Sequence, residues 1–447
     1  MKTIFLLVTL LAASIFALGQ PQRSTSTIAI TNVTLIDGTG SPPRKNITVI
    51  ISGNRITRIS NNYSRLSPVD ITVDGSGKFL IPGLWDMHTH LAYVGDVTCT
   101  TLVAHGITSV RDPGGSLQTV DWYRSRIQEG RLIGPRIFRA GPVVDGSKPG
   151  SQDRLVISSA QDGRRAVNFV KSLGVDFIKV HNGAPPAAYF AMLAEARRQG
   201  LVVVGHIPQD VDPAAAIDAG HGSVEHIVSL LEGSARRKGS AQALSEFTDA
   251  EAIRLARKMV AKGTWFDPTL VPYWYRAHQW EVRAANDPRE KYVTGSMRSS
   301  WKSFPIQPDN ADVRQALTLG FDRFLEITRI MHHEGVRFLV GTDLSLPLVY
   351  PGSSVHEELG WLVKAGFTPM EAIVAGTRNG AEAVNRLREL GTIETGKLAD
   401  LVLLEADPLA DISNTQKIAA VIANGQLFRR TALDVMLAQI AQDAAGR

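Results

Sequence analysis

The chain has 447 residues, of which 44% are hydrophobic and 20% are charged, so it can bury a large core and has an ordinary globular composition. The net charge of +5 is small for this length and no long basic run occurs, which gives no support to nucleic-acid binding. A single cysteine, Cys99, excludes an intramolecular disulfide. The length fits one large domain with an appendage, or two domains.

The N-terminal segment differs from the rest of the chain. Residues 4–18 are almost entirely apolar, and Ala17-Leu18-Gly19 offers small residues for a cleavage site. The apolar run is shorter than the roughly 20 residues that a membrane span requires. We therefore predict that residues 1–19 are a cleaved signal peptide, that the protein is secreted or periplasmic, and that it keeps no stable membrane anchor.

Both ends of the remaining chain contain short strand-like runs joined by turns. The runs between Thr27 and Thr72 are separated by turn residues such as Asp37-Gly38 and Ser52-Gly53-Asn54. Near the C-terminus, β-rich runs flank Asn424-Gly425, a strong hairpin sequence. We predict that residues 20–81 and 391–430 form one composite β-sandwich domain, followed by a C-terminal helix over residues 431–447.

The middle of the chain, residues 82–390, alternates strands with helices, a pattern typical of parallel strands joined by right-handed crossovers. Helix signals include Pro185-Pro186 with Gly200 at the far end, and capping boxes that begin at Thr248 and Thr368. The strand-like segments end near His90, Asp112, Gly141, His181, His206, His226, Leu270 and Asp343. The predicted fold class is therefore α/β, with a (β/α)₈ TIM barrel as the main domain.

The interval between Leu270 and Val336, called here the long segment, exceeds what one helix requires. Its aromatic residues include Tyr273, Trp274, Tyr275, Trp280, Tyr292 and Trp301. Because it leaves the carboxyl end of a strand, one hypothesis makes it a substrate-covering loop. The alternative is that its aromatic side chains pack against the outer helices.

Polar residues lie where the inferred strands end. His88 and His90 are two apart on an extended segment, so both side chains point to one side and one metal can bind both. Four other strands carry or end in Lys179, His206, His226 and Asp343. Buried ionisable groups are costly unless they are paired or bind a metal, so the set as a whole indicates a metal site at the carboxyl face of a barrel.

This pattern resembles the amidohydrolase superfamily. The resemblance covers nearly all of the chain after the signal peptide and includes the order of the polar residues. It also includes residues 391–402, Gly-Thr-Ile-Glu-Thr-Gly-Lys-Leu-Ala-Asp-Leu-Val, which are highly specific to the family. The nearest branch resembles metal-dependent hydrolases that include Xaa-Pro and Xaa-Arg dipeptidases and ochratoxin-type amide hydrolases, with imidazolonepropionases more distant.

The resemblance implies two divalent metal ions, most often zinc. The implied ligands are His88, His90 and Asp343 for the first ion and His206 and His226 for the second. Lys179, carboxylated by carbon dioxide, would bridge the two ions. A bridging hydroxide would attack the amide carbonyl, and Asp343 would pass its proton to the leaving nitrogen. The predicted function is a binuclear metal-dependent amidohydrolase that cleaves an amide bond in a dipeptide or an N-acyl amino acid.

Five further residues are candidates for substrate binding. They are His181, on the same strand face as Lys179, His356, after the last strand, and Tyr273, Tyr275 and Arg276 in the long segment. Phenol and guanidinium groups would suit a substrate carboxylate. Asp112, at the end of the second strand, is interpreted instead as a turn-capping aspartate.

Two alternative functions are kept. The first is a hydrolase of lactones or cyclic amides, or a deaminase, on the same metals, although deaminases of this superfamily usually lack the lysine found at Lys179. The second is a non-catalytic binding protein on a barrel, which the full ligand set disfavours. The expected partner is a small-molecule amide or peptide, and assembly into a homo-oligomer is left open.

Overall fold

The computed structural model of the protein describes residues 26–61, 69–146, 154–231, 240–284 and 286–445. The predicted signal peptide, residues 1–19, lies outside these described residues. Among the helices in the described ranges, none has the length and apolar character needed to cross a membrane.

The first five strands belong to a mixed sheet and are β1 (Thr27–Leu35), β2 (Arg44–Ser52), β3 (Arg55–Ser60), β4 (Ile71–Asp74) and β5 (Phe79–Pro82). β1 pairs antiparallel with β2, and β2 pairs antiparallel with β3 across the predicted turn at Gly53-Asn54. On its other side, β1 pairs in parallel with β4 and then with β5. β5 therefore ends beside the centre of this sheet and leads directly into the barrel.

Ten further strands follow. They are β6 (Leu84–Asp86), β7 (Ile107–Asp112), β8 (Arg136–Arg139), β9 (Val143–Asp145), β10 (Arg154–Val156), β11 (Ile178–Val180), β12 (Val203–Gly205), β13 (Ser223–Glu225), β14 (Trp265–Asp267) and β15 (Arg337–Phe338). β6, β7 and β8 pair in parallel, as do β11 to β15 in sequence order. β9 and β10 form an inserted parallel pair, of which β9 also pairs with β11.

Two backbone hydrogen bonds connect these groups of strands into a ring. The Asp176 N–H donates to the Arg139 carbonyl at 2.9 Å, which joins β8 to the strand β11. The Met87 N–H donates to the Val340 carbonyl at 2.8 Å, which joins the last barrel strand to the first. The α/β barrel predicted from the sequence is therefore confirmed.

Helices cover the outside of the barrel. They are α1 (Leu91–Val94), α2 (Val97–Ala104), α3 (Leu117–Gln128), α4 (Ala160–Ser172), α5 (Pro186–Arg198), α6 (Pro213–Asp218), α7 (Ser240–Glu246), α8 (Asp249–Lys262), α9 (Leu270–Ala277), α10 (Gln279–Ala284), α11 (Gly295–Ser303), α12 (Ala311–His333), α13 (Ser353–Lys364), α14 (Pro369–Ala375) and α15 (Arg378–Ala383). Both predicted capping boxes are confirmed, at the start of α8 on Thr248 and at the start of α14 on Thr368.

The long segment is mostly helical, which corrects the strand predicted to end near Leu270. That strand, β14, ends at Asp267, and Leu270 is the first residue of α9. The reason is a distant carboxylate: Glu358 on α13 accepts hydrogen bonds from the N–H groups of Leu270 at 2.9 Å and Val271 at 2.8 Å. These bonds satisfy two of the free N–H groups that begin a helix.

The C-terminal strands complete the mixed sheet. β16 (Leu401–Leu404) pairs antiparallel with β5, β17 (Ile418–Ala423) pairs with β16, and β18 (Gln426–Arg429) pairs with β17 through the predicted Asn424-Gly425 hairpin. The last helix, α16, covers Arg430–Ala445. Both ends of the chain thus share one eight-stranded hydrogen-bonded sheet with its own aliphatic core. The two-layer sandwich arrangement stays a prediction.

Candidate active site

A cavity of about 460 Å³ lies at the carboxyl ends of the barrel strands and is called here the central cavity. Its lining includes all six residues expected to bind metal, which are His88, His90, Lys179, His206, His226 and Asp343. The barrel strands bring these side chains together because the carboxyl ends of parallel strands meet at one face. His181 and Tyr273, two of the candidate substrate residues, also line this cavity.

Asp343 is surrounded by the Nε2 atoms of three histidines. Its Oδ1 lies 3.4 Å from His90 Nε2 and 3.7 Å from His88 Nε2, and its Oδ2 lies 3.8 Å from His226 Nε2. Metal–ligand bonds of 2.0–2.2 Å put the ligand atoms of one tetrahedral zinc roughly 3.3 Å apart. Ligand atoms of His88, His226 and Asp343 lie within 4.8 Å of one another, so this group can share a cation.

Each of the four histidines uses its other ring nitrogen, Nδ1, for a contact within the protein. The pairs are His88 with Glu225 Oε2 at 3.1 Å, His90 with the Gly114 carbonyl at 2.7 Å, His226 with Thr269 Oγ1 at 2.7 Å, and His206 with Asn182 Oδ1. A carboxylate, carbonyl or amide oxygen only accepts, so at His88, His90 and His206 the Nδ1 atom carries the hydrogen and Nε2 keeps its lone pair. The Thr269 hydroxyl can donate or accept, so it fixes the ring of His226 without fixing its tautomer. This is the arrangement expected behind metal-binding histidines, and it fits the implied ions.

Lys179 is buried on β11 with 2% of its surface exposed, and its Nζ lies 3.5 Å from His88 Nε2. Burial lowers the pKa of the Lys179 side chain to about 8, so a neutral amine forms far more readily than on an exposed lysine. Burial, with a further contribution from Lys179, also lowers the pKa of His88 and His206 well below the usual histidine value. The neutral imidazoles are the form that can bind a metal.

Burial alone would raise the pKa of the Asp343 carboxyl group, but the neighbouring side chains outweigh this effect. The nearby His226 and His90 side chains lower the pKa of this carboxyl group to about 2. Asp343 is therefore a carboxylate at neutral pH, able to bind a cation or to accept a proton.

The backbone is strained at three residues of this site. His226, Thr269 and Asp343 have φ angles of 66°, 49° and 56°, in the left-handed region that residues with a side chain rarely adopt. Such conformations cost on the order of 1–3 kcal/mol each and persist where the surroundings enforce them. Here they position His226, the Thr269 hydroxyl that contacts it and the Asp343 carboxylate.

Asp86 connects the first and last barrel strands and was not identified from the sequence. Its buried carboxylate accepts hydrogen bonds from the Thr342 N–H at 3.0 Å, the Thr342 hydroxyl at 2.6 Å and the His88 N–H at 3.1 Å. Burial raises the pKa of Asp86 to about 7 despite these bonds. These contacts hold Thr342, the residue before Asp343, in a fixed position relative to His88.

A buried ion-pair network behind His88 was also missed. Arg111 Nη2 lies 2.6 Å from Glu225 Oε2 and 3.3 Å from Asp267 Oδ2, and Arg111 Nε donates to the Met87 carbonyl at 2.7 Å. His88, Glu225 and Asp267 could in principle bind a cation, but the guanidinium already supplies the positive charge there. A possible signal was available, because each of these ionisable residues lies within an inferred apolar strand, as Lys179 does.

Asp112 has the turn-capping role interpreted from the sequence. It accepts hydrogen bonds from the Leu91 N–H at 2.7 Å and the Gly114 N–H at 3.3 Å. Since the Gly114 carbonyl contacts His90, this turn also orients one of the candidate metal ligands.

Three candidate substrate residues lie elsewhere: among the described residues, the lining of the central cavity includes neither Tyr275, Arg276 nor His356. The buried Tyr275 hydroxyl donates to Glu357 Oε1 at 2.9 Å, and Arg276 is exposed on α9. His356 Nε2 lies 2.9 Å from the His105 carbonyl, inside the helical layer. Their placement favours a structural role because none of them faces the cavity.

The long segment combines both hypotheses made for it. Tyr273 and, further along, Phe304 line the central cavity, as a covering segment would require. The ring of Trp274 packs 5.7 Å from the ring of Trp361 on α13, as outer-helix packing would require. The segment therefore both contributes cavity wall and packs on the barrel.

Comparison with known proteins identifies one family and several relatives. Residues 79–428 match the amidohydrolase family. Ochratoxinase from Aspergillus niger is 25% identical over 463 aligned positions, which cover 88% of this chain and 85% of that protein. Among solved structures, bottromycin amidohydrolase has a TM-score of 0.75 at 25% identity and covers 94% of this chain and 90% of its own. A Xaa-Pro dipeptidase with bound methionine in the active site has a TM-score of 0.69 at 23% identity, with coverage of 90% and 100%, a likeness of fold.

Proposed function

This chain belongs to the amidohydrolase family and is a hydrolase of carbon–nitrogen bonds; on this premise we propose that it binds two divalent metal ions, with zinc the favoured metal, and cleaves an amide bond in a dipeptide or an N-acyl amino acid. One observation carries the proposal. Four histidines, Lys179 and Asp343 line one cavity, and each histidine has its Nδ1 held by a protein partner.

The proposed ligands divide as the sequence suggests. His88, His90 and Asp343 would bind one ion, and His206 and His226 the other. Lys179 would bridge the two ions as a carbamate, because a protonated ammonium has no lone pair and would repel cations. When bound, divalent ions lower the pKa of a water molecule towards neutrality and polarise a carbonyl group.

The side chains of this protein supply orientation and proton transfer. The Nδ1 contacts fix the histidine rings, and the Arg111–Glu225 ion pair holds His88 from behind. Asp343, ionised and close to three histidines, would accept a proton from the attacking water and return it to the leaving nitrogen. Tyr273 and Phe304 line the cavity, so their rings would lie against a bound substrate.

The bridging lysine gives a direct test. We expect Lys179→Ala to lower kcat by roughly 100-fold or more, because it removes a shared ligand whose loss exceeds that of an outer partner. Short carboxylates such as formate or propionate should restore part of the activity by occupying the place of the carbamate. Lys171→Ala, which removes an exposed lysine from α4, is the control. Full activity in Lys179→Ala would contradict the two-ion site.

Metal content and a substrate panel separate this proposal from its alternatives. Purified protein expressed with zinc and bicarbonate should contain close to two metal ions per chain. Faster turnover of lactones or cyclic amides than of dipeptides and N-acyl amino acids would favour the second enzyme hypothesis. Protein without metal and without activity on any of these compounds would favour a binding role.

We also propose that residues 1–19 direct export to the periplasm or the medium. The basis is the short apolar run followed by small residues. Mass analysis of the exported protein should give an N-terminus near Gln20. Retention of the whole chain in the cytoplasm would contradict it.

A further inference from the structure

Arg154 lines the central cavity and has no contact with the six candidate metal ligands among the interactions of the described residues. Arg154 lies on β10 and pairs with Val143 of β9. β9 in turn pairs with β11, the strand that carries Lys179. Two strand spacings of about 4.8 Å separate β10 from the lysine strand. Arg154 therefore stands on the cavity wall, a short distance to one side of the metal ligands.

A buried carboxylate holds this arginine in place. Asp145 is fully buried, and its Oδ2 pairs with Arg154 Nη1 and lies 3.3 Å from His181 Nδ1. Its Oδ1 accepts hydrogen bonds from the N–H groups of Gly146 at 2.8 Å and Gly183 at 2.7 Å. Both carboxylate oxygens of Asp145 thus have partners, and the ion pair holds the Nη1 end of the Arg154 guanidinium group in place.

Two glycines are required for this arrangement. A Cβ atom on Gly146 would lie 1.8 Å from the Gly183 carbonyl oxygen, and a Cβ atom on Gly183 would lie 2.7 Å from Asp145 Oδ1. Only glycine allows the two backbones to approach so closely and aim both N–H groups at one carboxylate oxygen. The site is therefore built around Asp145, and Arg154 is its contact with the cavity.

Arg154 still has donors to offer. A guanidinium has five N–H donors in a planar fork, and among the described residues the hydrogen bonds of Arg154 use Nη1 alone. Its side chain is 27% exposed, so it faces the cavity without being lost to bulk solvent. A planar fork of this kind matches a carboxylate with two parallel hydrogen bonds.

We propose that Arg154 binds a free carboxylate of the substrate. This inference rests on the proposed amide hydrolysis and assigns a binding residue to the amino-acid carboxylate that the proposed substrates carry. It transfers to Arg154 the role that the sequence suggested for Arg276, which is exposed on α9. Val143, Val228 and Leu346 supply an apolar wall for the rest of the substrate.

The test compares two substrates that differ only in charge. An N-acyl amino acid and its carboxamide are hydrolysed by the metal-loaded wild-type enzyme and by Arg154→Gln. We expect the variant to raise KM for the carboxylate by roughly 10- to 100-fold, the effect of losing a charge-assisted hydrogen bond, with kcat and the carboxamide reaction little changed. The KM of Arg154→Lys for the carboxylate should fall between those of wild type and Arg154→Gln, since lysine keeps the positive charge but lacks the planar guanidinium donors.

Controls separate binding from folding. Asp145→Asn with Arg154→Gln removes both charges, so no buried carboxylate is left unpaired, and it should show the same selective loss with normal metal content. Arg165→Gln, on the exposed face of α4, should behave as wild type. An equal loss for both substrates in the Arg154 variants, or the selective loss in Arg276→Gln instead, would overturn the assignment.

The outcome is distinguishable from failure of the proposed function. If wild type hydrolyses both compounds and discriminates neither, the hydrolase proposal stands and the role of Arg154 is wrong. If neither compound is hydrolysed, calorimetry with Asp343→Asn protein still compares their binding. Tighter binding of the carboxylate that is lost in Asp343→Asn with Arg154→Gln would support the site, and equal binding would reject it.

Discussion

Glu225 illustrates how single residues support the metal site from behind. Its Oε2 lies 3.1 Å from His88 Nδ1 and 2.6 Å from Arg111 Nη2, and no part of its side chain is exposed. The carboxylate fixes the ring orientation and keeps the hydrogen on Nδ1, while the guanidinium balances its charge. His88 can then present only Nε2 to a metal ion.

We predict that Glu225→Gln weakens metal binding by roughly 10- to 100-fold, the usual effect of losing an outer-shell carboxylate. The amide keeps the size of the side chain but loses the charge that holds both His88 and Arg111. Competition with a chelator measures the metal affinity. Glu129→Gln, at an exposed glutamate, is the control, and equal affinity in both variants would limit Glu225 to balancing the charge of Arg111.

The sequence predicted that the six candidate metal ligands would lie together, because histidine, lysine and aspartate rarely gather at the ends of apolar strands unless they bind a cation. It did not predict Arg154, Asp86 or Glu225, because their roles depend on partners that sequence spacing does not specify. Arg276 was a candidate because a guanidinium suits a carboxylate and because it lies beside Tyr273 and Tyr275 in the long segment, whereas Arg154 was not considered. The direction of the Arg276 side chain on α9 could not be predicted from the sequence, and this side chain is exposed to solvent.

Among the elements, α9 depends most on a distant contact. Thr269 precedes it in a left-handed conformation, with no side-chain cap, so the Glu358 carboxyl group from α13 takes over that role. This is also why the sequence misplaced the end of β14, since the capping residue lies 88 positions away from Leu270. Local capping boxes such as that at Thr248 were predictable because all their atoms lie within one turn.

A pH dependence of stability should follow from Glu358. Burial raises the pKa of this carboxyl from an ordinary 4.5 to about 8. The contribution of Glu358 to the free energy of unfolding is therefore complete below the unfolded-state pKa. It is lost as the pH rises through the folded-state pKa. Between these values the folded form binds the extra proton, and the slope approaches about 1.4 kcal/mol per pH unit.

Urea unfolding between pH 4.5 and 8 checks this expectation. Glu358→Gln is neutral throughout, so wild type should lose free energy of unfolding relative to the variant as the pH rises. Glu326→Gln, at an exposed position of α12, should follow the wild-type curve. Parallel curves for wild type and Glu358→Gln would show that the carboxyl does not titrate in this range.

For the whole molecule, the metal site joins strands from all round the barrel. The proposed ligands come from β11, from the ends of β6, β12 and β13 and from the segment after β15. Bound ions would therefore stabilise the closed ring rather than one local region. Without ions, the candidate ligand side chains would lie close together in a largely buried cavity, which costs free energy of folding.

We predict that a chelator lowers the thermal midpoint of the protein and that zinc restores it. An ion present at a thousand times its dissociation constant stabilises the folded state by about 4 kcal/mol. Thermal unfolding with chelator, and then with added zinc or magnesium, measures the effect. An unchanged midpoint after proven removal of metal would mean that the barrel does not rely on the ions for stability.

The barrel itself was predictable at this scale because strands and helices alternate regularly and each strand carries its own apolar run. The inserted pair β9 and β10 was not, because these two strands are recognised only by their pairing with each other and with β11. The joining of the chain ends was expected from two separate β-rich regions. Its register, with Leu401 opposite Pro82, required the structure.

The position of β5 has a consequence for how the protein is made. β5 lies between β1 and β16, so one of its edges has no neighbour until the ribosome has added residues 401–404. Leu84 and Trp85, which lead to His88 and His90, the first of the proposed metal ligands, follow this strand closely. A growing chain therefore exposes an unpaired strand edge throughout synthesis of the barrel, a state prone to aggregation. The last strands to be synthesised complete the support of the first strand of the active site.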